Sequence, residues 1–189
     1  MGELIKLRVV SLSPSAAGAS SYILFLQAEK GESVGFPMVI GISEAQAISM
    51  FMEDVIPARP MTHDLFANFI KQTTVLVSFI EISSFKDGVF FAKIHMNKDG
   101  ESIVLDARPS DSIAIGLRLN ADIVISDTLL NEIAIPMEVL QDEDDEIEIQ
   151  KIPKSQVIST LESSLEKALA DENYEEAAKL RDQLNKLIK

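Results

Sequence analysis

Three short stretches of this 189-residue chain gather side chains able to bind phosphate, hold a cation or move a proton. Arg59, His63 and Asp64 surround the start of one expected helix. Asp106, Arg108, Ser110 and Asp111 surround the start of another, and Glu44 lies in the first turn of a third. Helix starts present unpaired backbone N–H groups and the positive end of the helix dipole, so they suit phosphate oxygens. If the three starts converge, Arg59 and Arg108 could grip a phosphate bidentately, with Ser110 adding a hydroxyl. Asp64, Asp106 and Asp111, with Glu44 as a further ligand, offer the hard oxygen donors that suit Mg2+ or Mn2+. His63 supplies the residue type that ordinarily titrates near neutrality and is the candidate general base or acid. The expected chemistry is attack of water on a phosphodiester, with His63, Asp64, Asp106 and Asp111 as the catalytic set.

A plainer reading of the same residues stands beside this one. Thr62, Asp64, Ser110 and Asp111 are the types that helix N-termini prefer for capping and dipole reasons alone. Arg108 with Asp106 or Asp111 also fits a structural ion pair. Arg59, His63 and Arg108 are not types that capping requires, so they carry more of the case for a site. His95 sits beside Met96 in an expected strand and reads as packed or surface. The chain has no P-loop, no dinucleotide fingerprint and no zinc-ligand spacing.

The elements that must position these residues follow from hydrophobic periodicity. Leu4–Leu12, Tyr22–Gln27 and Phe36–Ile40 are short and β-branched, as strands are. Ser13–Ser20 is small and turn-like. Ser43 and Gln46 read as a capping box for a helix whose buried face is Ala45, Ile48, Phe51, Met52 and Val55. Pro57 and Pro60 end it, and Thr62 caps a second helix with Leu65, Phe66, Phe69 and Ile70 as its apolar stripe. Thr73–Ile82, Val89–Met96 and Ser102–Leu105 form a three-strand meander, with Lys86-Asp87-Gly88 and Asn97-Lys98-Asp99-Gly100 as its turns. Pro109 opens a third helix bearing Ile113, Ala114, Leu117 and Leu119, and Ile123–Ile125 is a short buried strand.

Gln141–Gln150 holds six acids and no base, the composition of a solvated linker. Beyond Pro153, Val157, Leu161, Leu165 and Ala168 share one helical face, and Ala177, Leu180, Leu184 and Leu187 share another. Asp171-Glu172-Asn173 turns between them, making an αα-hairpin. So small a hairpin needs another surface to bury its stripe: a second copy, a partner or the main domain.

The net charge of −13 argues against a protein that coats nucleic acid by counterion release. Residues 1–140 carry 10 Lys/Arg against 17 Asp/Glu, and residues 141–189 carry 7 against 13, so both parts are acidic. Action on nucleic acid therefore needs a local basic patch or bound cations. The absence of cysteine excludes disulfides and thiolate chemistry. No apolar run approaches the roughly 20 residues of a membrane span, and the first residues lack a secretory pattern, so a cytoplasmic protein without a membrane segment is expected.

Three blocks then carry a family resemblance. Phe36-Pro37-Met38-Val39-Ile40-Gly41 followed by Glu44-Ala45-Gln46-Ala47-Ile48 is the first. Arg59-Pro60-Met61-Thr62-His63-Asp64-Leu65 is the second, and Asp106-Ala107-Arg108-Pro109-Ser110-Asp111-Ser112-Ile113-Ala114 is the third. In order and spacing they resemble the bifunctional nuclease family over about residues 4–131. The resemblance implies activity on DNA and RNA, an α+β fold and a homo-oligomer, with a dimer as the expected size. Asn173-Tyr174-Glu175-Glu176-Ala177-Ala178-Lys179-Leu180-Arg181-Asp182 resembles the hairpin through which UvrB and UvrC meet, and implies a protein partner for residues 155–189. Tyr174 and the leucines would form its core, leaving Glu175, Lys179 and Arg181 to select the partner.

The expected architecture is an α+β domain over residues 1–140, with a mixed or antiparallel sheet and about three packed helices. An acidic linker at 141–154 and an antiparallel helical hairpin at 155–189 follow. Two functions are carried forward. One is a cation-assisted nuclease of low sequence specificity. The other is a non-catalytic adaptor that binds an anionic ligand or partner and docks a second protein through the hairpin.

Overall fold

The computed structural model describes residues 3–15, 21–29 and 34–136, together with Leu165 and Arg181. The expected linker and hairpin therefore lie outside the described residues, those two positions excepted. In chain order the elements are β1 (Leu4–Pro14), β2 (Ser21–Ala28), β3 (Val34–Gly41), α1 (Ile42–Met52), α2 (Thr62–Lys71), β4 (Val75–Lys86), β5 (Val89–Lys98), β6 (Glu101–Ala107), α3 (Pro109–Leu119), β7 (Asp122–Ser126), α4 (Asp127–Ile133) and the two-residue β8 (Ile135–Pro136). The strands form one mixed sheet in the order β6-β5-β4-β7-β1-β2-β3-β8. β4 and β7 run parallel, because β5, β6 and α3 carry the chain back between them; the other neighbours are antiparallel. This is the α+β class that the strand and helix patterns led us to expect.

Local sequence explains the meander directly. In β5, Phe90, Ala92, Ile94 and Met96 are buried while the residues between them face outward, so the period of two selects one face. Asp87-Gly88 and Asp99-Gly100 close the two hairpins with positive φ at both central residues (50° and 81°, 53° and 92°). Those values match the right-handed twist of the strands, and an Asp-Gly pair reaches them with little strain.

The sheet is strongly curled. Phe36 of β3 stacks on Phe90 of β5 with ring centroids 5.4 Å apart, although β4, β7, β1 and β2 lie between those strands in the sheet. The inner face thereby encloses the main core, to which Leu24, Leu26, Met38, Ile80, Ile94, Ile113 and Ile125 contribute. α3 is the central helix, packed on β4, β5 and β7 and flanked by α1 and α2. Its close approach to the sheet depends on Gly116, where a Cβ would sit 2.7 Å from Cγ1 of Ile80. Gly116→Ala should therefore lower stability by about 1–3 kcal/mol through overpacking, outweighing the ~1 kcal/mol gain in helix propensity. Urea unfolding checks this, and a stabilised variant would show that the packing tolerates the methyl group.

The helices depart from the periodicity reading in three ways. α1 begins at Ile42 after Gly41, with no side-chain cap, so Ser43 is inside the helix rather than its cap. At α2, Met61 holds the cap position and Thr62 is the first helical residue. The buried faces also differ. Ala45, Ala47 and Ile48 of α1 and Ala67 and Ile70 of α2 are buried, while Phe51, Met52, Val55, Leu65 and Phe69 are exposed. α1 and α2 each pack on α3 and on the sheet, and the side chains that face away from those contacts stay exposed. α4, a fourth helix among the described residues, was not anticipated; seven residues are too few to display a helical period. Ser126 caps it by accepting from the Leu129 N–H at 3.3 Å, and Leu129 and Leu130 are buried. No helix among the described residues is long and apolar enough to cross a membrane.

Candidate functional site

The three helix starts meet. Packing α1 and α2 on either side of α3 sets their N-terminal ends beside one another, and four side chains link across them. His63 Nε2 of α2 lies 2.9 Å from Asp111 Oδ1 of α3. Asp111 Oδ2 accepts from Arg108 Nε at 2.7 Å, and Arg108 Nη2 reaches Oε1 of Glu44 on α1 at 2.9 Å. The result is a chain His63–Asp111–Arg108–Glu44 joining residues from three separate stretches. Its members differ in exposure: the His63 side chain is 14% accessible and the Arg108 side chain 68%. Proline at the first turn of α3 orients this end, since its fixed φ suits the helix start and it needs no N–H partner.

Asp64 has a different environment. Its Oδ2 accepts from the Met61 backbone N–H at 2.8 Å, and its Oδ1 accepts from Nε of Arg118. Arg118, whose side chain is 8% accessible, also donates to the Ala114 carbonyl at 2.9 Å and to the Ala47 carbonyl at 3.0 Å. It lies over the Phe51 ring, 5.8 Å from the centroid. Arg118 thus joins α1, α2 and α3 and holds the start of α2, where His63 sits. Sequence reading missed it. A basic residue in the last turn of a helix looks like an ordinary complement to the helix dipole, and nothing local signals that this one is buried.

The remaining expected site residues stand apart. Asp106 is exposed on β6, opposite Lys93 in the β5 register, and its side chain makes no hydrogen bond or ion pair with a described residue. Arg59 is exposed in the loop before α2 and likewise has no such partner among the described residues. Ser110 is buried in the first turn of α3. His95, on the outer sheet face, pairs with Glu81 at 2.6 Å and stacks on Phe79.

The donor set does not fit a preformed cation centre. Both oxygens of Asp111 and both of Asp64 already accept hydrogen bonds, and Glu44 is engaged by Arg108. Among the described residues, no three His, Asp or Glu side chains are grouped to hold a metal ion. The carboxylates are instead engaged by arginine side chains and by His63.

Electrostatics follow from these partners. The hydrogen bond with His63 lowers the Asp111 pKa; burial opposes this, and Arg108 adds to the lowering. For Asp64, burial pushes the carboxyl up, but the Arg118 hydrogen bond, the Met61 N–H and nearby positive charge together bring it below its ordinary value. Hydrogen bonding to Asp111 raises the pKa of Arg108, against the effect of burial. A carboxyl with a depressed folded-state pKa binds protons less readily folded than unfolded. Its stabilisation is complete above the ordinary aspartate value of about 3.9 and is lost as pH falls through that value toward the depressed one. The stability gap between wild type and Asp64→Asn should therefore shrink as pH falls from about 5 to about 3. Urea unfolding across that range tests it, and a constant gap would remove Asp64 from the acid response.

Residues 24–138 match the family described as the bifunctional nuclease domain, and residues 155–187 match the UvrB/UvrC motif. Two relatives, uncharacterized proteins of two Mycobacterium tuberculosis strains, are each 33% identical over 124 residues, covering 66% of this chain and 71% of the relative.

Proposed function

From the premise that this chain belongs to the bifunctional nuclease domain family, we propose that it hydrolyses phosphodiester bonds of DNA or RNA at the junction of α1, α2 and α3. The observation that carries the proposal is the contact between His63 and Asp111 at two abutting helix starts. An ionised Asp111 accepts from Nε2–H of His63, which selects that tautomer and leaves Nδ1 as the basic nitrogen. Water attacks phosphorus, its proton passes to Nδ1, and Asp111 stabilises the imidazolium as the ester P–O bond breaks. The departing oxygen takes its proton from the imidazolium or from solvent. Arg108, the most exposed member of the chain, and Arg59 in the adjoining loop are the proposed phosphate ligands. The two carboxylates outnumber the one guanidinium in this network, so Arg59 also offsets repulsion of the substrate.

The test is hydrolysis of labelled single-stranded DNA and RNA by the full chain, with Mg2+, with Mn2+ and with EDTA, beside Asp111→Asn. Cleavage that depends on Asp111 supports the reading, and its response to EDTA reports whether an added cation takes part. Equal cleavage by both proteins would move the site elsewhere.

A second reading has its own observation: the carboxylates of the junction are already paired, as in a structural network. On that reading the chain is an adaptor that binds an anionic ligand or partner without turnover, and the segment matching the UvrB/UvrC motif docks a second protein. Stoichiometric binding that weakens on removal of residues 155–189, with no cleavage under any condition above, would favour it.

A further inference from the structure

His63 and Arg108 engage opposite oxygens of one carboxylate, that of Asp111, and each keeps a nitrogen to spare. Nε2 of His63 is 2.9 Å from Oδ1, and Nε of Arg108 is 2.7 Å from Oδ2. Glu44 holds Arg108 a second time, through Nη2 at 2.9 Å. Nδ1 of His63 and Nη1 of Arg108 have no partner among the described residues. The junction therefore offers one base and one guanidinium side by side. Its carboxylates are engaged in steadying those two groups, and they are not grouped to hold a cation.

We propose that in RNA the ribose 2′-hydroxyl takes the place of the attacking water at this junction, so that cleavage leaves a 2′,3′-cyclic phosphate and needs no added cation. The inference rests on the nuclease reading above and gives it a substrate class: strands with ribose at the cleaved position.

Magnitudes favour this nucleophile. A positioned base contributes about 10²–10⁴-fold, and one fixed donor at the developing charge about 10²–10³-fold. Together they reach only the lower part of the roughly 10⁶–10¹⁷-fold by which enzymes accelerate reactions. A well-oriented nucleophile within the substrate is equivalent to about 10⁵–10⁸ M of an external one. The 2′-hydroxyl neighbours the 3′-phosphate in every ribonucleotide, and DNA lacks it.

In the step itself, Nδ1 of His63 takes the O2′ proton, O2′ bonds to phosphorus, and the P–O5′ bond breaks. Nη1 of Arg108 donates to a non-bridging oxygen as charge builds there. The chain's other histidine, His95, lies on the outer sheet face paired with Glu81, so the 5′-oxygen takes its proton from solvent. The His63 imidazolium returns its proton to solvent. The products are a cyclic phosphate and a 5′-hydroxyl, and no water is consumed.

The test uses the full chain in EDTA on a DNA strand, the same strand with a single ribonucleotide, and that strand 2′-O-methylated at the ribonucleotide. Cleavage is expected only beside the unblocked ribose, at least about a hundredfold faster than elsewhere. The fragment should weigh one water less than a linear phosphate would give. His63→Ala and Asp111→Asn, purified alike, should each cut about 10²–10⁴-fold more slowly, which separates the activity from a contaminating ribonuclease. Cleavage that depends on these residues but stops in EDTA, leaves only a linear phosphate, or proceeds equally at deoxyribose would overturn the proposal and leave the nuclease reading standing. Cleavage indifferent to both substitutions, or none with or without Mg2+ and Mn2+, would overturn both.

Discussion

Arg118→Ala should destabilise the domain more than any other single change at the junction, by about 3–5 kcal/mol in urea unfolding at neutral pH. The Arg118 side chain is almost wholly buried and bonds to Asp64 and to carbonyls of Ala47 and Ala114. Both carbonyls lie inside helices and keep their helical N–H partners, so the loss falls mainly on the carboxylate. Asp64 loses its cation and becomes easier to protonate. Arg118→Lys should recover only part of the loss, because an ammonium cannot reproduce the planar fork that reaches two helices at once. Asp64→Asn in the Arg118→Ala background should then cost less than in the wild type, and a double-mutant cycle measures that coupling. A loss below about 1 kcal/mol for Arg118→Ala would mean that water replaces the guanidinium and that the three helices need no such tie.

His63→Ala and Asp111→Asn should each lower phosphodiester turnover by about 10²–10⁴-fold, the range that a positioned general base contributes. Neither residue supports the fold to the extent that Arg118 does. Each is partly exposed, and Asp111→Asn keeps the shape of the side chain while removing the charge that steadies the imidazolium. The double variant should be little worse than either single one, because groups that act as a unit do not contribute additively. Asp64→Asn should show another pattern: measurable loss of stability, with a smaller effect on kcat once the folded fraction is taken into account. Single-turnover cleavage by folded protein separates the cases. If Asp111→Asn and wild type cleave at the same rate, the mechanism drawn from the His63 contact is wrong, whatever the stability data show.

The two first-turn carboxylates of α2 and α3 sit in different surroundings. Asp64 and Asp111 look alike in sequence, each an acid in the first turn of a helix. Their partners differ because Asp64 turns toward the buried end of Arg118, while Asp111 lies between His63 and the exposed Arg108. One acid helps hold the helical layer together, and the other links the starts of α2 and α3 through His63 and Arg108.

What the sequence determined by itself was local. The Asp-Gly turns, the alternation along β5, the proline that opens α3 and the acidic composition of 141–150 depend on neighbouring residues, whose geometry is dictated over one or two turns of chain. The three blocks around Glu44, Arg59–Leu65 and Asp106–Ala114 were legible for the same reason, as were the residue types that make a site there. Tertiary structure alone decided which of those residues meet. His63 and Asp111 are 48 positions apart, and Asp64 and Arg118 are 54 apart. Such pairs exist only because α3 returns between α1 and α2 on a sheet curled enough to bring Phe36 onto Phe90. The same packing decided which face of each helix is covered. A helical period shows that Phe51, Leu65 and Phe69 share a stripe with buried residues, but it cannot show that α3 covers only part of that stripe, because coverage depends on a partner far away in the chain.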